Sequence, residues 1–518
     1  MLGLVREQVI AYLFGATGYV SVFRVAATII QQLYDLLVGG MVSAALVPVF
    51  SDFAERRDEL WRVASVVINI LALALAVAVL ILEIFAPQLV WILGSGYDPA
   101  LQDVAVEMIR LILPAVFFLG LSGIVTSLLY SLKRFAFPAF TTAAYNAGII
   151  IVAFAFSPVF GITSLIVGII IGSATQVVLQ LPGLRDMHYR FAIDFSHPAL
   201  RRILKSYAPV VAGLGISIVS VAIDRNLASH TGEQSLAWMV NATTLTQFPL
   251  GLVSTAISFA ILPTLSQQSS VASQQVTVNS EQPPVSSLQS QATEHESRIT
   301  YHESPVTNNE FQNTLAFGIK LVLLLILPAT VGLLVLAHPI IALLFEHGAF
   351  TPADTLATAN ALQYYMIGLP FAAIDQPLVF AFYARKNTLL PNIVQFIAVG
   401  IYLVFAFALV QPWGMIGLVF ANSMMLTGHA LLMLWLTHTR LGGLGRSEMV
   451  ATTIKIIVAS TVMGAIVFLI EGMLNSILLK VVVSAIVGGS IYIILLWLLH
   501  VREAERVWEM IRVRMRHA

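Results

Sequence analysis

"LYSLKRFAFP" at residues 129–138 and "FYARKNTLLP" at residues 382–391 share one pattern. Each has a tyrosine, a lysine three residues on and a proline five further on: Tyr130, Lys133 and Pro138, then Tyr383, Lys386 and Pro391. Each follows a long apolar run and holds two of the chain's few positive charges. The tyrosines are 253 residues apart, and Gly96 and Gly348 echo them at 252. Upstream, "SAALVPVFS" at 43–51 matches "SFAILPTLS" at 258–266 with an offset of 215, through Ser43/Ser258, Ala45/Ala260, Pro48/Pro263 and Ser51/Ser266. The offset grows by 38 between the two pairs, and a long polar insertion lies between them. The chain therefore reads as two related halves, 1–182 and 203–437, joined by a linker at 183–202.

The medium of those halves follows from composition. Of 518 residues, 58% are hydrophobic and 10% charged, with a mean hydropathy of +0.88. Soluble domains carry about 25% charged residues, so the pattern is that of a polytopic helical membrane protein. A β-barrel would instead show alternating segments of about ten residues. Net charge is zero, which implies no bulk attraction to nucleic acid. There are no cysteines, hence no disulfides or thiol chemistry.

Apolar runs give about fourteen spans: 1–14, 20–50, 62–94, 102–130, 136–157, 161–182, 203–228, 233–266, 311–345, 352–383, 389–411, 414–437, 450–470 and 475–500. The first is short and carries Arg6 and Glu7, so either it does not span or the native start lies upstream. With both termini cytoplasmic, the inner connections hold 20 of the 27 Lys and Arg residues, and outer loops such as "GSGYDPA" and "EHGAFTPADT" hold none. Six spans per half make the repeats parallel, with helices thirteen and fourteen (438–500) added. Transporters built this way place substrate between the halves. Residues 267–310, with 16 Ser or Gln among 44, read as a disordered loop, either a linker or a partner-binding segment. The tail 501–518, with five arginines, reads as a basic surface helix or as a solvated end that fixes topology.

Polar groups inside the spans mark a candidate pathway. Arg24, Thr28, Gln31 and Asp35 in the second span are spaced 4, 3 and 4, which aligns them on one helical face. That stripe lines a water-filled cavity, or else closes as an Arg24–Asp35 network in the bundle. The matching span of the second half carries Asn241, Thr243, Thr244, Thr246 and Gln247. Arg6 and Glu7 have counterparts in Asp224 and Arg225. Asp375, beside Pro377, is a candidate for a coupling cation or proton, or for a hydrogen bond to a neighbouring helix. His429 reads as a lone histidine. No ATP loop, nucleophile elbow or zinc-protease motif occurs, so the reading is a non-enzymatic chain without metal or cofactor.

Taken in order, "LFGA" (13–16), "GGMVSAALVPVFSDF" (39–53), "LASHTGEQSLAWM" (227–239), "QFPLG" (247–251), "LFEHGAFT" (344–351) and "FYARKNTLLP" (382–391) resemble the MurJ/MviN family of lipid II flippases, within the multidrug/oligosaccharidyl-lipid/polysaccharide exporter superfamily. The resemblance covers essentially the whole chain. It implies an all-α, alternating-access flippase in the bacterial cytoplasmic membrane, acting in peptidoglycan synthesis. Its substrate would be an undecaprenyl-pyrophosphate-linked saccharide, its surroundings membrane lipids, and cell-wall synthesis proteins are candidate partners. It also implies a cationic cavity lined by helices one, two, seven and eight, and a lipid-tail groove at helices thirteen and fourteen. The substrate-binding set is then Arg6, Arg24, Thr28, Gln31, Asp35, Arg225, Asn241, Thr244 and Gln247. The chain departs from the family pattern where an aspartate, an arginine, a glutamate and a second arginine are replaced by Ser21, Tyr34, Gly39 and Thr244. The alternatives are a flippase for another polyprenyl-linked glycan and a membrane scaffold for envelope synthesis that no longer transports.

Overall fold

The computed structural model describes residues 2–36, 42–280, 305–444, 446–506, 509 and 512. Twenty α-helices account for the regular structure, with short 3-10 and π segments and no strand among the described residues. They are α1 (Leu2–Phe14), α2 (Gly18–Tyr34), α3 (Val47–Asp52), α4 (Arg57–Ile84), α5 (Ala86–Gly94), α6 (Pro99–Ile112), α7 (Pro114–Ser131), α8 (Ala136–Ala139), α9 (Thr141–Phe160) and α10 (Thr163–Gln180). There follow α11 (Pro198–Ser229), α12 (Ser235–Pro249), α13 (Ala256–Ser280), α14 (Pro305–Val335), α15 (Ala337–Phe345), α16 (Pro352–Ala384), α17 (Leu389–Trp413), α18 (Met415–Arg440), α19 (Arg446–Met473) and α20 (Ile477–Leu498). Prolines break some of the expected spans into two helices. Pro87 sits in the first turn of α5 and Pro114 opens α7, where a missing N–H costs nothing.

Eleven stretches among the described residues are long and apolar enough to cross a membrane. The three other expected spans fall on α1, α2 and α11. Helix α13 continues to Ser280, past the expected start of the polar loop, and α14 begins at Pro305. The rest of that loop, 281–304, lies outside the described residues, as does most of the expected tail helix beyond Arg506.

The described chain forms two compact units. One comprises Met1–Thr244, Ile341–Ala361 and Ala406–Val419. Within it, α9 and α10 meet at backbone distance because glycines leave the room. A Cβ on Gly168 would lie 2.9 Å from the Ile149 Cα, and one on Gly172 would lie 2.7 Å from the Tyr145 carbonyl oxygen. This Gly-x-x-x-Gly face lets the helices approach without a solvophobic drive between them. On its other side α10 is tied to α7 by polar glue: Thr126 donates to Gln180 (2.8 Å) and the Gln180 amide to Ser122 (2.7 Å).

The second unit comprises Leu245–Ile340, Leu362–Phe405 and Phe420–Ala518. Gly464 of α19 accommodates Val331 of α14, and Gly488 of α20 accommodates Val467 of α19. The Tyr492 hydroxyl of α20 donates to the Leu324 carbonyl of α14 at 2.7 Å. An apolar cavity of about 830 Å³ lies between α14, α16, α18 and α19, walled by residues such as Leu327, Phe371, Trp435 and Ile457.

The two cationic turns prove to be the same device. Helix α7 ends with the Arg134 N–H on the Leu129 carbonyl (2.8 Å) and the Lys133 N–H on the Tyr130 carbonyl (3.0 Å). Helix α16 ends with Asn387 on Phe382 (3.0 Å) and Lys386 on Tyr383 (2.9 Å). These are paired Schellman bonds, which satisfy the last carbonyls of a helix through a left-handed residue. That residue is Lys133 (φ 58°) in one and Lys386 (φ 56°) in the other, where glycine is the usual choice.

Candidate functional site

Helix α1 is short, and its position is fixed at its end rather than by its length. Gly15 (φ +64°) follows it and Gly348 (φ +63°) lies in the turn after α15. A Cβ on Gly15 would lie 2.5 Å from the Ala349 carbonyl oxygen, so only glycine permits this approach. The Ala349 N–H donates to the Tyr12 carbonyl (2.9 Å), and the Gln8 amide donates to the Leu344 carbonyl (3.2 Å). Thus "LFGA" and "LFEHGAFT" are the two faces of one joint. The joint holds Arg6 and Glu7 against α2 and α9.

Glu7 is 2% exposed, yet its carboxylate is doubly compensated. Arg6 donates to Oε1 through Nε (3.0 Å) and Nη2 (2.6 Å), and Arg24 of α2 donates through Nη2 to Oε2. Arg24 is 7% exposed, and its Nε–H has no partner among the described residues. One turn on, the Thr28 hydroxyl donates to the Arg24 carbonyl (2.8 Å) and accepts from Arg225 Nε of α11 (3.3 Å). Arg225 also pairs with Asp224 through Nη1 (3.0 Å).

These groups enclose a cavity of about 230 Å³. Of the expected site residues, Arg6, Arg24, Thr28, Gln31, Arg225 and Thr244 line it. Asp35 does not; it lies at the end of α2, where its Oδ1 accepts from Gln31 at 2.9 Å. Asn241 is buried outside the lining. Gln247 is exposed and belongs to the second unit. Of the four stripe residues, Arg24, Thr28 and Gln31 line this cavity and Asp35 does not. The partner of Arg24 is Glu7 on the neighbouring helix rather than Asp35 on its own.

Two polar lining residues lie outside the binding set expected from sequence, Glu7 and Tyr145. Tyr145 comes from α9, a helix with no charged residue, and only its place beside Asn146 in an apolar run could have flagged it. Three guanidiniums (Arg6, Arg24, Arg225) face two carboxylates (Glu7, Asp224), so the cluster keeps one positive charge in excess. A buried N–H left unbonded costs about 1–3 kcal/mol. Arg24 Nε carries that cost among the described residues.

A second polar pair lies in the other unit. Asp375 and His429, each read as solitary, meet at 2.8 Å between Oδ1 and Nδ1. Nearby, Pro377 supplies no N–H to the Ala373 carbonyl, and the buried Ser254 hydroxyl donates to that oxygen instead, at 2.6 Å.

Compared with known proteins, the chain matches the family model described as "Lipid II flippase MurJ" over residues 10–487. The chain belongs to the MurJ family. It is 28% identical over 414 residues to the protein named lipid II flippase MurJ of Burkholderia cenocepacia, covering 78% of this chain and 73% of that one. It is 27% identical over 440 residues to the probable lipid II flippase MurJ of Vibrio cholerae, covering 82% and 77%. Among solved structures it is similar to a lipid II flippase MurJ in an inward closed conformation, with a TM-score of 0.78, 24% identity and 95% of both chains covered. It is also similar to an inward-facing multidrug transporter of the MATE family in the MOP superfamily, with a TM-score of 0.64, 15% identity and 86% and 95% covered. The MurJ fold thus covers 95% of the chain. Two of the four departures have local explanations within it. Ser21 is fully buried and its hydroxyl accepts the Ala237 N–H (3.3 Å), so α2 and α12 pack there without a charge. Thr244 lines the cavity with its hydroxyl turned back to the Val240 carbonyl (2.9 Å). Tyr34 is half-buried, and Gly39 lies outside the described residues.

Proposed function

We propose that this chain is a flippase for lipid II in the bacterial cytoplasmic membrane, moving the precursor by alternating access. The observation that carries the reading is the cavity at Arg6, Glu7, Arg24 and Arg225, with its excess positive charge and its unbonded Arg24 Nε. Planar guanidiniums in a partly buried pocket suit a diphosphate, because each supplies paired donors to phosphate oxygens. At about 230 Å³ the cavity is smaller than the ~300–1,000 Å³ of pockets for drug-sized ligands. It matches a diphosphate and excludes the attached saccharide, which must occupy space that opens in another state. The apolar cavity of about 830 Å³ beside α19 suits a polyprenyl tail.

In this reading the halves 1–182 and 203–437 are parallel six-helix repeats, both termini are cytoplasmic, and the Asp375–His429 pair is the candidate for ion coupling. The replacement of family charges by Ser21 and Thr244 favours, as a second reading, a flippase for a different polyprenyl-diphosphate-linked glycan. Complementation decides between them. A bacterium depleted of its own lipid II flippase should regain growth with this chain and lose it again with Arg24→Ala. Stable membrane expression without rescue would support the second reading.

A further inference from the structure

The linker after α10 does not behave as a solvated loop. Residues 187–194 have no regular structure and lie along α4. The Arg190 N–H donates to Ser65 Oγ (3.1 Å), the Asn69 amide donates to the Ala192 carbonyl (3.0 Å), and the Tyr189 hydroxyl donates to Asn69 Oδ1 (2.6 Å). Ala192 packs on Val66, Ile70 and Leu200. One side of the strip is thus fixed to the protein.

The other side carries large apolar groups in the open. Phe191 is 78% exposed, Phe195 67% and Ile193 46%. Phe191 and Ile193 are alternate residues of the irregular run and Phe195 begins the turn that follows it, so one short segment exposes three large apolar side chains. Five exposed cations lie on the linker and on the adjoining ends of α4 and α11: Arg185 and Arg190, then Arg62, Arg201 and Lys205, with one anion, Asp194, inside the strip. No ion pair is formed by these five among the described residues, whereas Arg134 takes Asp186 and Arg202 takes Asp52.

Depth decides what the segment meets. Arg62 is the last charge before the apolar body of α4, and Asn69 lies seven residues beyond it. At 1.5 Å per residue the strip is held within about 10 Å of that charge. That is the level of headgroups, where aromatic side chains and arginines concentrate. Irregular backbone exposed to lipid is not tolerated deeper than this. We infer that Tyr189–Phe195 is a membrane-contact strip that inserts Phe191, Ile193 and Phe195 at the acyl boundary of an anionic leaflet, with the adjoining arginines on lipid phosphates. This proposal is independent of what the chain transports.

The chain has no native cysteine, so single-site labelling tests it directly. Phe191→Cys, Phe195→Cys and, as a deep reference on α20, Ile486→Cys would each carry a polarity-sensitive fluorophore in full-length protein. The protein is placed in nanodiscs of phosphatidylcholine with or without phosphatidylglycerol. Quenching by a nitroxide near the headgroup should exceed quenching by one near the acyl end at 191 and 195, with the opposite order at 486. Phosphatidylglycerol should strengthen the shallow quenching, and Arg185→Gln with Arg190→Gln should weaken that gain by about fivefold per charge. Labels at 191 and 195 that respond to aqueous iodide and not to lipid nitroxide would overturn the proposal and assign the strip to a soluble partner. Lipid quenching indifferent to phosphatidylglycerol would overturn its anionic part.

Discussion

Arg24 reaches across from α2 to the same Glu7 carboxylate that Arg6 holds from the adjacent position on α1. Two guanidiniums on one buried carboxylate give a cluster that is satisfied by the chain only in part. Glu7 fixes where the arginines sit. It does not neutralise them.

Removing that carboxylate should therefore harm folding and yet enhance the response to ligand. Breaking a buried pair costs about 3–5 kcal/mol, because the partner charge is left uncompensated. Glu7→Gln should lower the melting temperature in detergent, and an added diphosphate lipid should raise it by more than it raises the wild type. A variant that melts normally, or gains nothing extra from the lipid, would show that Glu7 does not hold the arginines.

Lys133 and Lys386 occupy left-handed backbone, which costs an ordinary residue roughly 1–2 kcal/mol. Lys133→Gly and Lys386→Gly should each raise the melting temperature while the helices α7 and α16 keep their caps. A fall in stability would mean that the lysine side chains make contacts that outweigh the strain. The repeated pattern marks the same position in the two halves. Its spacing is that of a helix cap.

The apolar runs and the polar face of α2 are legible because each is a local property of the chain, whereas the helix breaks at Pro87 and Pro114 divide spans that the apolar runs make continuous. The Arg24–Glu7 bond is not legible. Its members are 17 residues apart on two helices, and nothing in either segment states that α1 is docked by Gly15 on the turn at Gly348. Asp35, on the same face of the same helix, offers a false partner about 16 Å further along the axis. Asp375 and His429 were hidden in the same way, 54 residues apart on α16 and α18. Tyr145 reaches the cavity only because Gly168 and Gly172 let α10 press on α9.

Ser254 and Pro377 should prove energetically coupled. Ser254→Ala leaves the buried Ala373 carbonyl without a donor, at about 1–3 kcal/mol. With Pro377→Ala, the new N–H at 377 can serve that carbonyl, so the serine change should cost much less. Equal losses in both backgrounds, measured by thermal or chemical unfolding, would break the link between the hydroxyl and the proline.

Asp186 lies outside the spans and is held below the usual carboxylate range, first by the hydrogen bonds from Arg134 at 2.6 and 2.9 Å. A lowered native value means stabilisation that is complete above the unfolded value, about 3.9, and lost as pH falls through the native one. Both side chains are more than a third exposed, or close to it, so the contribution is at most about 1 kcal/mol. Wild type should lose slightly more stability than Asp186→Asn on acidification from neutrality to below about pH 4. Parallel curves would leave the pair without a stabilising role.

Binding of lipid II to Arg24 variants, followed by native mass spectrometry, tests the cationic cavity most directly. A charge-assisted hydrogen bond is worth roughly 1.5–3 kcal/mol, so Arg24→Ala should weaken binding about tenfold or more. Arg24→Lys keeps the charge without the planar fork and should fall between. The decisive chain carries Arg24→Ala together with Glu7→Gln, which restores the net charge of the cluster but not the guanidinium. Binding that stays well below wild type is the result expected of an arginine that holds the diphosphate itself. Full wild-type binding by that double variant would show that Arg24 serves only to neutralise Glu7, and would contradict a phosphate site built upon it.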